Sequence, residues 1–296
     1  MKNISMVGLG IMGLPMAKHL LAAGYQVTGY DHHQSAMTQL VKSGGTAAAS
    51  IAEAAEGADL FITMVPDSPQ VKDIVYGAGG LLEHAPPGLI YIDMSSIRPD
   101  VAAEVASSCR ERGLRPLDAP VSGGEKGAIE ASLSIMVGGD QADFDQALPV
   151  FQAVGKTIVH VGPSGSGQTV KAANQLIVGG TYQLVAEAIV FLEAYGVDTT
   201  AALEVLSGGL AGSRILEIKG ASMLRREFQP GFRIDLHHKD MGIVTAAARE
   251  AGVVIPVGAM VAQLIAALRA QGDGGLDHSA LLRGVERLSG RFEQQN

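Results

Sequence analysis

Four groups of residues in this 296-residue chain have types and spacings that could do chemistry. The first is Gly8-Leu9-Gly10-Ile11-Met12-Gly13, a Gly-x-Gly-x-x-Gly run that directly follows the apolar segment Ile4-Ser5-Met6-Val7. After it, Met12, Met16 and Leu20 recur at helical spacing. The pattern reads as strand, tight turn and helix. In such a turn Gly8 permits the bend, Gly10 lets the backbone approach a pyrophosphate, and Gly13 lets the helix pack closely with its N-terminus toward the anion. Asp31 ends the next apolar segment, 18 residues after Gly13, where a carboxylate can accept hydrogen bonds from an adenosine ribose. A carboxylate there also repels a 2′-phosphate. The following His32-His33 supplies no permanently charged guanidinium to receive one, so NAD(H) is favoured over NADP(H).

The second group is Asp118-Ala119-Pro120-Val121-Ser122-Gly123-Gly124. Here a hydroxyl (Ser122) and two unhindered amides (Gly123, Gly124) follow a strand-like segment, a combination suited to gripping a carboxylate. Ser-Gly-Gly is also common in ordinary turns, and on spacing alone both readings stand. The third is Lys171 with Asn174 three residues on, hence on the same face of a helix one turn later. Desolvation lowers a lysine's pKa toward neutrality and makes it a usable proton donor or acceptor. The alternative is a side chain that snorkels to solvent at the first helical turn. The fourth is Lys239-Asp240, which taken by itself reads as a solvated charge pair on a helix.

Other chemistries are not implied. His237 and His238 are adjacent and would point about 100° apart on a helix, and the chain contains no His-x-x-x-His, so no metal site is expected. Gly165-Ser166-Gly167 sits in a glycine-rich loop and has no Ser/His/Asp arrangement around it, so it is not a nucleophile elbow. The single cysteine, Cys109, can form neither an intramolecular disulfide nor a zinc cage, and helix packing is its expected role. The net charge is −8, with 10 Lys+Arg against 17 Asp+Glu in residues 1–164 and 12 against 13 in residues 165–296. That balance, with no aromatic ladder, argues against nucleic acid as a partner. No apolar run reaches the roughly 18 residues of a membrane span, and the opening MKNISMVGLG lacks a charged and apolar leader, so a cytoplasmic protein with no membrane partner is expected.

These residues need elements to hold them. Further strand-like segments are Gln26 to Asp31, Leu60 to Met64, Leu89 to Asp93 and Leu133 to Val137, with helical patterns at 34–43, 68–75 and 98–112 between them. Such alternation predicts βαβ units and a mostly parallel, doubly wound sheet covered on both faces. After residue 164 the periodicity turns helical. Residues 168–194 form one long apolar candidate helix, with Gly179-Gly180 permitting close backbone approach to a neighbouring domain or subunit. Shorter helices are expected near 199–206, 214–225, 236–250, 256–270 and 278–288. The expected architecture is an α/β domain over 1–164 joined by the long helix to an all-α domain over 165–296.

Four segments, GLGIMGLPMAKHL (8–20), DAPVSGGEKGAIEASLSIMVGG (118–139), GSGQTVKAANQ (165–175) and FRIDLHHKD (232–240), together resemble the β-hydroxyacid dehydrogenase family, in the same order and over essentially the whole chain. The resemblance implies an N-terminal Rossmann domain binding NAD(P) and a helical domain for substrate binding and oligomerisation, as a homodimer or homotetramer. It implies that Lys171 is the catalytic acid/base, that Asn174 binds substrate beside it, and that Ser122, Gly123 and Gly124 hold the substrate's carboxylate. Lys239 matches a lysine near the nicotinamide end of the cofactor, and Val65, Pro66 and Ser96 match further cofactor contacts. Gly208 to Ser213 and Asp277 to Ala280 look most like the tartronate semialdehyde (2-hydroxy-3-oxopropionate) reductases, which form D-glycerate. Related members act on 3-hydroxyisobutyrate, L-serine, L-threonate or 6-phosphogluconate. The chain departs from that subgroup at His32, where an arginine often stands, and at Arg214, which either alters the substrate pocket or points outward. A nucleotide-binding regulatory protein that kept the fold and lost the chemistry is the alternative of a different class.

Overall fold

A computed structural model of the chain describes residues 1–291. The chain divides into two compact units, Met1–Lys171 and Ala172–Asn296, and the division falls within the long helix rather than in the loop ahead of it. The reason is local. Gln168 and Lys171, in the helix's first turns, hydrogen-bond to residues of the sheet unit.

The first unit is built on a nine-stranded sheet. Its strands are β1 (Asn3–Val7), β2 (Gln26–Tyr30), β3 (Thr46–Ala47), β4 (Leu60–Thr63), β5 (Ile90–Asp93), β6 (Arg115–Asp118), β7 (Val121–Ser122), β8 (Leu133–Gly139) and β9 (Gly155–Gly162). Six of them run parallel in the order β3-β2-β1-β4-β5-β6. β8 is antiparallel to both β6 and β7, and β9 runs parallel to β8. Alternate residues serve opposite faces. Ile4, Met6, Leu60, Ile62, Ile90 and Ile92 enter one core, while Val7, Phe61, Leu89 and Tyr91 enter the other. Both faces of the parallel region are therefore buried under helices, which is why its strands read as nearly continuous apolar runs.

Helices Gly13–Ala22, Gln34–Lys42, Ser68–Tyr76 and Pro99–Glu111 fill the crossovers where the sequence pattern predicts them. Cys109 is buried in the last of these, and burial pushes its thiol up to about 12. Four of the nine strands lie outside the five strand-like segments given ranges above: the two-residue β3 and β7, β6, which is expected only as the segment ahead of Ser122, and β9. β3 and β7 are too short to show a period, β6 carries Arg115 and Pro116 instead of an apolar run, and β9 mixes exposed with half-buried residues, so none shows a clear hydrophobic signature.

The second unit consists of the helices Thr199–Gly208, Arg214–Leu224, Ile234–Glu250, Pro256–Leu268 and Leu281–Leu288 around one apolar core, preceded by the end of the long helix. The expected helix ends need two refinements: the turn Arg269–Asp273, kinked at Gly272 (φ +91°), follows Leu268, and a 3₁₀ turn, His278–Ala280, precedes Leu281. The long helix itself spans Ser166–Ala194, 29 residues. Its mean hydropathy of 1.5 over an 18-residue window makes it long and apolar enough, by length and composition, to cross a membrane. This corrects the expectation that no segment meets that test. Interspersed Gly, Thr, Gln and Asn break the strictly apolar run without lowering the average enough, and helices in the cores of soluble proteins meet the same criterion.

Gly8 has φ +94°, and a Cβ on Gly13 would collide with the Gly8 carbonyl oxygen, whereas a Cβ on Gly10 would meet nothing within 4 Å. Gly13→Ala is therefore expected to cost roughly 1–3 kcal/mol and several degrees of Tm, with Gly10→Ala leaving Tm unchanged. Parallel thermal melts of the two variants check this, and equal melting temperatures would contradict it.

Candidate active site

Parallel strands place their C-terminal ends along one edge of a sheet, and every candidate of the first unit except Lys171, which lies on the long helix, follows such an end. The Gly8–Gly13 turn follows β1, Asp31 follows β2, Val65-Pro66 follow β4, Ser96 follows β5, and the 119–124 segment follows β6. Strand order reverses between β1 and β4, the switch point at which open α/β sheets bind their ligands.

At the glycine turn, Gly8 N–H donates to the Tyr30 carbonyl at 3.0 Å, and Leu9 N–H donates to the Asp31 carboxylate at 2.7 Å. The other Asp31 oxygen accepts the His33 N–H at 2.8 Å. Asp31 thus braces the turn as well as standing half-buried at the end of β2. Leu9 is buried, Ile11 is exposed and Met12 packs at the helix start. No side chain caps the helix Gly13–Ala22. Its uncapped N–H groups and the open space above Gly10 suit a pyrophosphate, which would supply the acceptors that helix lacks.

A buried polar relay lies behind the neighbouring loops. The Thr63 hydroxyl donates to Asp93 at 2.8 Å and meets the Tyr91 hydroxyl at 3.0 Å. Burial raises the Tyr91 phenol well above its ordinary value. Ser95 N–H donates to Asp93 at 3.1 Å, and Val65 N–H donates to the Ser95 hydroxyl at 3.0 Å. The relay sets the loops that carry Val65 and Ser96. Its members Asp93 and Ser95 were not singled out from the sequence, although two polar residues at the end of an apolar strand are a readable signal.

Beyond β6 the chain turns at Ala119-Pro120 into the short β7. Pro120 O accepts the Met136 N–H at 3.1 Å, so the turn is fastened to β8. Gly123 (φ +138°) and Gly124 (φ +60°) follow Ser122, and both angles favour glycine. Lys171 reaches this segment from the long helix: its side chain, in a residue only 8% exposed, donates from Nζ to Val121 O at 2.7 Å. The sheet unit therefore brings the amine to the residue that precedes Ser122. The snorkelling alternative is set aside by that burial.

Asn174 opens the second unit, one helical turn after Lys171. Its amide donates to Gln175 Oε1 at 2.8 Å, Gln175 Nε2 donates to Asp240 at 2.5 Å, and Asp240 pairs with Lys239 Nζ at 2.8 Å. Asp240 is 3% exposed, so Lys239-Asp240 is a largely buried pair linked through Gln175 to Asn174 rather than a solvated one. Gln175, which makes this link, was not singled out from the sequence. His237 faces His278 across 3.1 Å between their Nδ1 atoms. Arg214 points outward, with its side chain 80% exposed and paired to Glu217.

Residues 3–162 match the NAD binding domain of 6-phosphogluconate dehydrogenase, and residues 165–285 match the NAD-binding family of NADP-dependent 3-hydroxyisobutyrate dehydrogenase. The chain belongs to the β-hydroxyacid dehydrogenase family. It is 40% identical over 291 residues to a 2-hydroxy-3-oxopropionate reductase of Escherichia coli strain K12, covering 97% of this chain and 98% of that one. An NAD-dependent L-serine dehydrogenase of Pseudomonas aeruginosa is 36% identical over 98% of this chain and all of its own length. Among solved structures, a Mycobacterium tuberculosis 3-hydroxyisobutyrate dehydrogenase with L-serine matches with a TM-score of 0.88 at 33% identity, covering 95% of this chain and 98% of that one. As a member of this family the chain is an NAD(P)-dependent oxidoreductase acting on a CH–OH group, with a Rossmann domain followed by a helical one.

Proposed function

We propose that this β-hydroxyacid dehydrogenase reduces tartronate semialdehyde to D-glycerate, reversibly, with NADH, and that Lys171 is its general acid/base. The observation that carries the reading is the Lys171 amine, buried and hydrogen-bonded to Val121 O beside the Ser122-Gly123-Gly124 segment. Similarity to the E. coli reductase over nearly the full length of both chains supports the choice of substrate. 3-Hydroxyisobutyrate and L-serine, on which related proteins are named to act, are the competing substrates.

When bound, the nicotinamide supplies or accepts the hydride at the substrate's third carbon. The protein's work is placement and proton transfer. Ser122 and the amides of Gly123 and Gly124 hold the substrate carboxylate, and Asn174 orients the substrate beside the amine. In reduction, Lys171 as ammonium gives a proton from Nζ to the developing alkoxide. In oxidation, the neutral amine takes the proton back. Gly8 to Gly13 hold the pyrophosphate, Asp31 the adenosine ribose, and Val65, Pro66, Ser96 and Lys239 the nicotinamide half. The carboxylate of Asp31 and the exposed imidazoles of His32 and His33 support NADH over NADPH, since neither histidine offers a permanent charge to a 2′-phosphate.

Positioned acid catalysis is worth about 10²–10⁴ in rate, so Lys171→Met is expected to lower kcat by that factor with little change in the NADH dissociation constant. Turnover at the unaltered enzyme's rate would remove Lys171 from the mechanism.

We also propose a cytoplasmic homodimer or homotetramer. Ile177, Leu184 and Phe191 recur every seventh residue on one face of the long helix and are 62–67% exposed, an apolar stripe that a second copy would cover. Light scattering is expected to give two or four times the 30.6 kDa chain mass. A monomer at micromolar concentration would contradict it.

A further inference from the structure

The carboxylate of Asp118, at the end of β6, has no part in the reaction as proposed, yet it is held 4% exposed in a closely built cradle. One of its oxygens accepts the Gly165 N–H at 2.7 Å and the other the Gln168 N–H at 2.9 Å, so it brackets the start of the helix that carries Lys171. Gln168, 1% exposed, extends the hold to the next loop. Its Nε2 donates to Ser95 O at 2.8 Å and its Oε1 accepts the Ile97 N–H at 3.1 Å. Ser95 in turn accepts the Val65 N–H. The helical turn leading to Lys171 is therefore registered against the loops after β4, β5 and β6 together.

The cradle leaves no slack. A Cβ on Gly138 would stand 2.5 Å from Asp118 Oδ1 and 2.9 Å from Gly167 N. A Cβ on Gly167 would stand 2.6 Å from Asp118 O and 2.9 Å from Oδ2, and would collide with Met136 O. Strand β8 and the helix thus close on the carboxylate from both sides. Burying a carboxylate is costly, and backbone N–H donors offset that cost only while the geometry is kept.

We propose that Asp118 and Gln168 are positioning residues, which fix the height and rotation of the first helical turn so that Lys171 Nζ is presented to the reacting oxygen. The proposal rests on the assignment of Lys171 as acid/base. A helix advances 1.5 Å and 100° per residue, so a small slip at Gln168 displaces an amine three residues on. A misplacement of about 1 Å at a reacting group can cost about 10² in rate.

The carboxylate also gives the device a pH signature. Burial, opposed by the two backbone N–H donors and assisted by the neighbouring Asp93 carboxylate, pushes Asp118 up to about 6. Asp93 faces it from β5, and Gly138, Pro163, Gly165 and Gly167 face it without a titratable side chain. As pH falls through about 6, a proton converts one acceptor oxygen into a hydroxyl, one N–H loses its acceptor, and the hold loosens.

The test compares Asp118→Asn and Gln168→Ala with the unaltered enzyme, reading kcat, the NADH dissociation constant and the pH dependence of kcat between about pH 5 and 8. Asp118→Asn is expected to lower kcat by about 10- to 100-fold, with the NADH dissociation constant within about twofold and the acid limb near pH 6 lost. Gln168→Ala is expected to lower kcat less and to keep the limb. Rates and limb both unchanged in an Asp118→Asn protein that binds NADH would overturn the proposal. Should that variant fail to bind NADH, Gln168→Ala decides: reduced kcat with intact NADH binding supports the clamp, and unchanged kcat overturns it. Lys171→Met separates the two readings. If it keeps full turnover, the acid/base assignment falls and the clamp with it. If it is inactive while both clamp variants turn over normally, the clamp alone falls.

Discussion

A lysine amine held out of water against a backbone carbonyl of the short antiparallel strand β7 is the interaction on which the rest of the site depends. Lys171 is 8% exposed, and its Nζ meets Val121 O at 2.7 Å. An amine can be kept there only if its helix cannot slide and if the segment offering the carbonyl cannot swing away. The first condition falls to the N-terminal turn of the helix, tied by Asp118 and Gln168. The second falls to the turn at Ala119-Pro120 and its bond to β8. The antiparallel pairing of β8 with β6 and β7 thus has a local purpose, since it secures the segment that leads from Asp118 to Ser122 and the two glycines.

The cofactor half follows from a different constraint. Parallel strands deliver their loops to one edge, and the β3-β2-β1-β4-β5-β6 order opens that edge between β1 and β4. Asp31 illustrates how few residues such a site needs: it braces Leu9 and His33 through their backbone N–H groups and still presents a carboxylate at the end of β2. In the helical unit the chain from Asn174 through Gln175 and Asp240 to Lys239 has the same economy, because the buried Gln175 and Asp240 are partnered by each other and by the half-buried ends of the chain.

Legibility in the sequence tracked the strength of the physical signal. The glycine turn, the strands of the doubly covered sheet and the long helix were readable because close backbone approach demands glycine and burial on both faces demands unbroken apolar runs. β6 was readable only as a segment ahead of Ser122, because Pro116 and Arg115 interrupt its pattern, and the two-residue β3 and β7 and the mixed exposed and half-buried β9 were not readable. The long helix has no unbroken apolar run of membrane-span length, yet its average hydropathy over 18 residues is that of one. Among site residues, Lys171 and Asn174 were visible by their spacing, whereas Asp93, Ser95, Gln168 and Gln175 were not, since a buried polar residue looks like a surface one until its partner, tens of residues away, is known. Lys239-Asp240 is the sharpest case: adjacent opposite charges suggest solvent, and only the fold shows Asp240 buried against Gln175.

The most direct measurement is steady-state oxidation of NADH and of NADPH, at equal concentration, with tartronate semialdehyde and with methylmalonate semialdehyde. The account predicts the highest kcat/KM for tartronate semialdehyde with NADH. Faster turnover of the methyl-bearing aldehyde would contradict the substrate, faster turnover with NADPH would contradict the role given to Asp31, and no turnover of either aldehyde by protein that binds NADH would contradict the site as a whole.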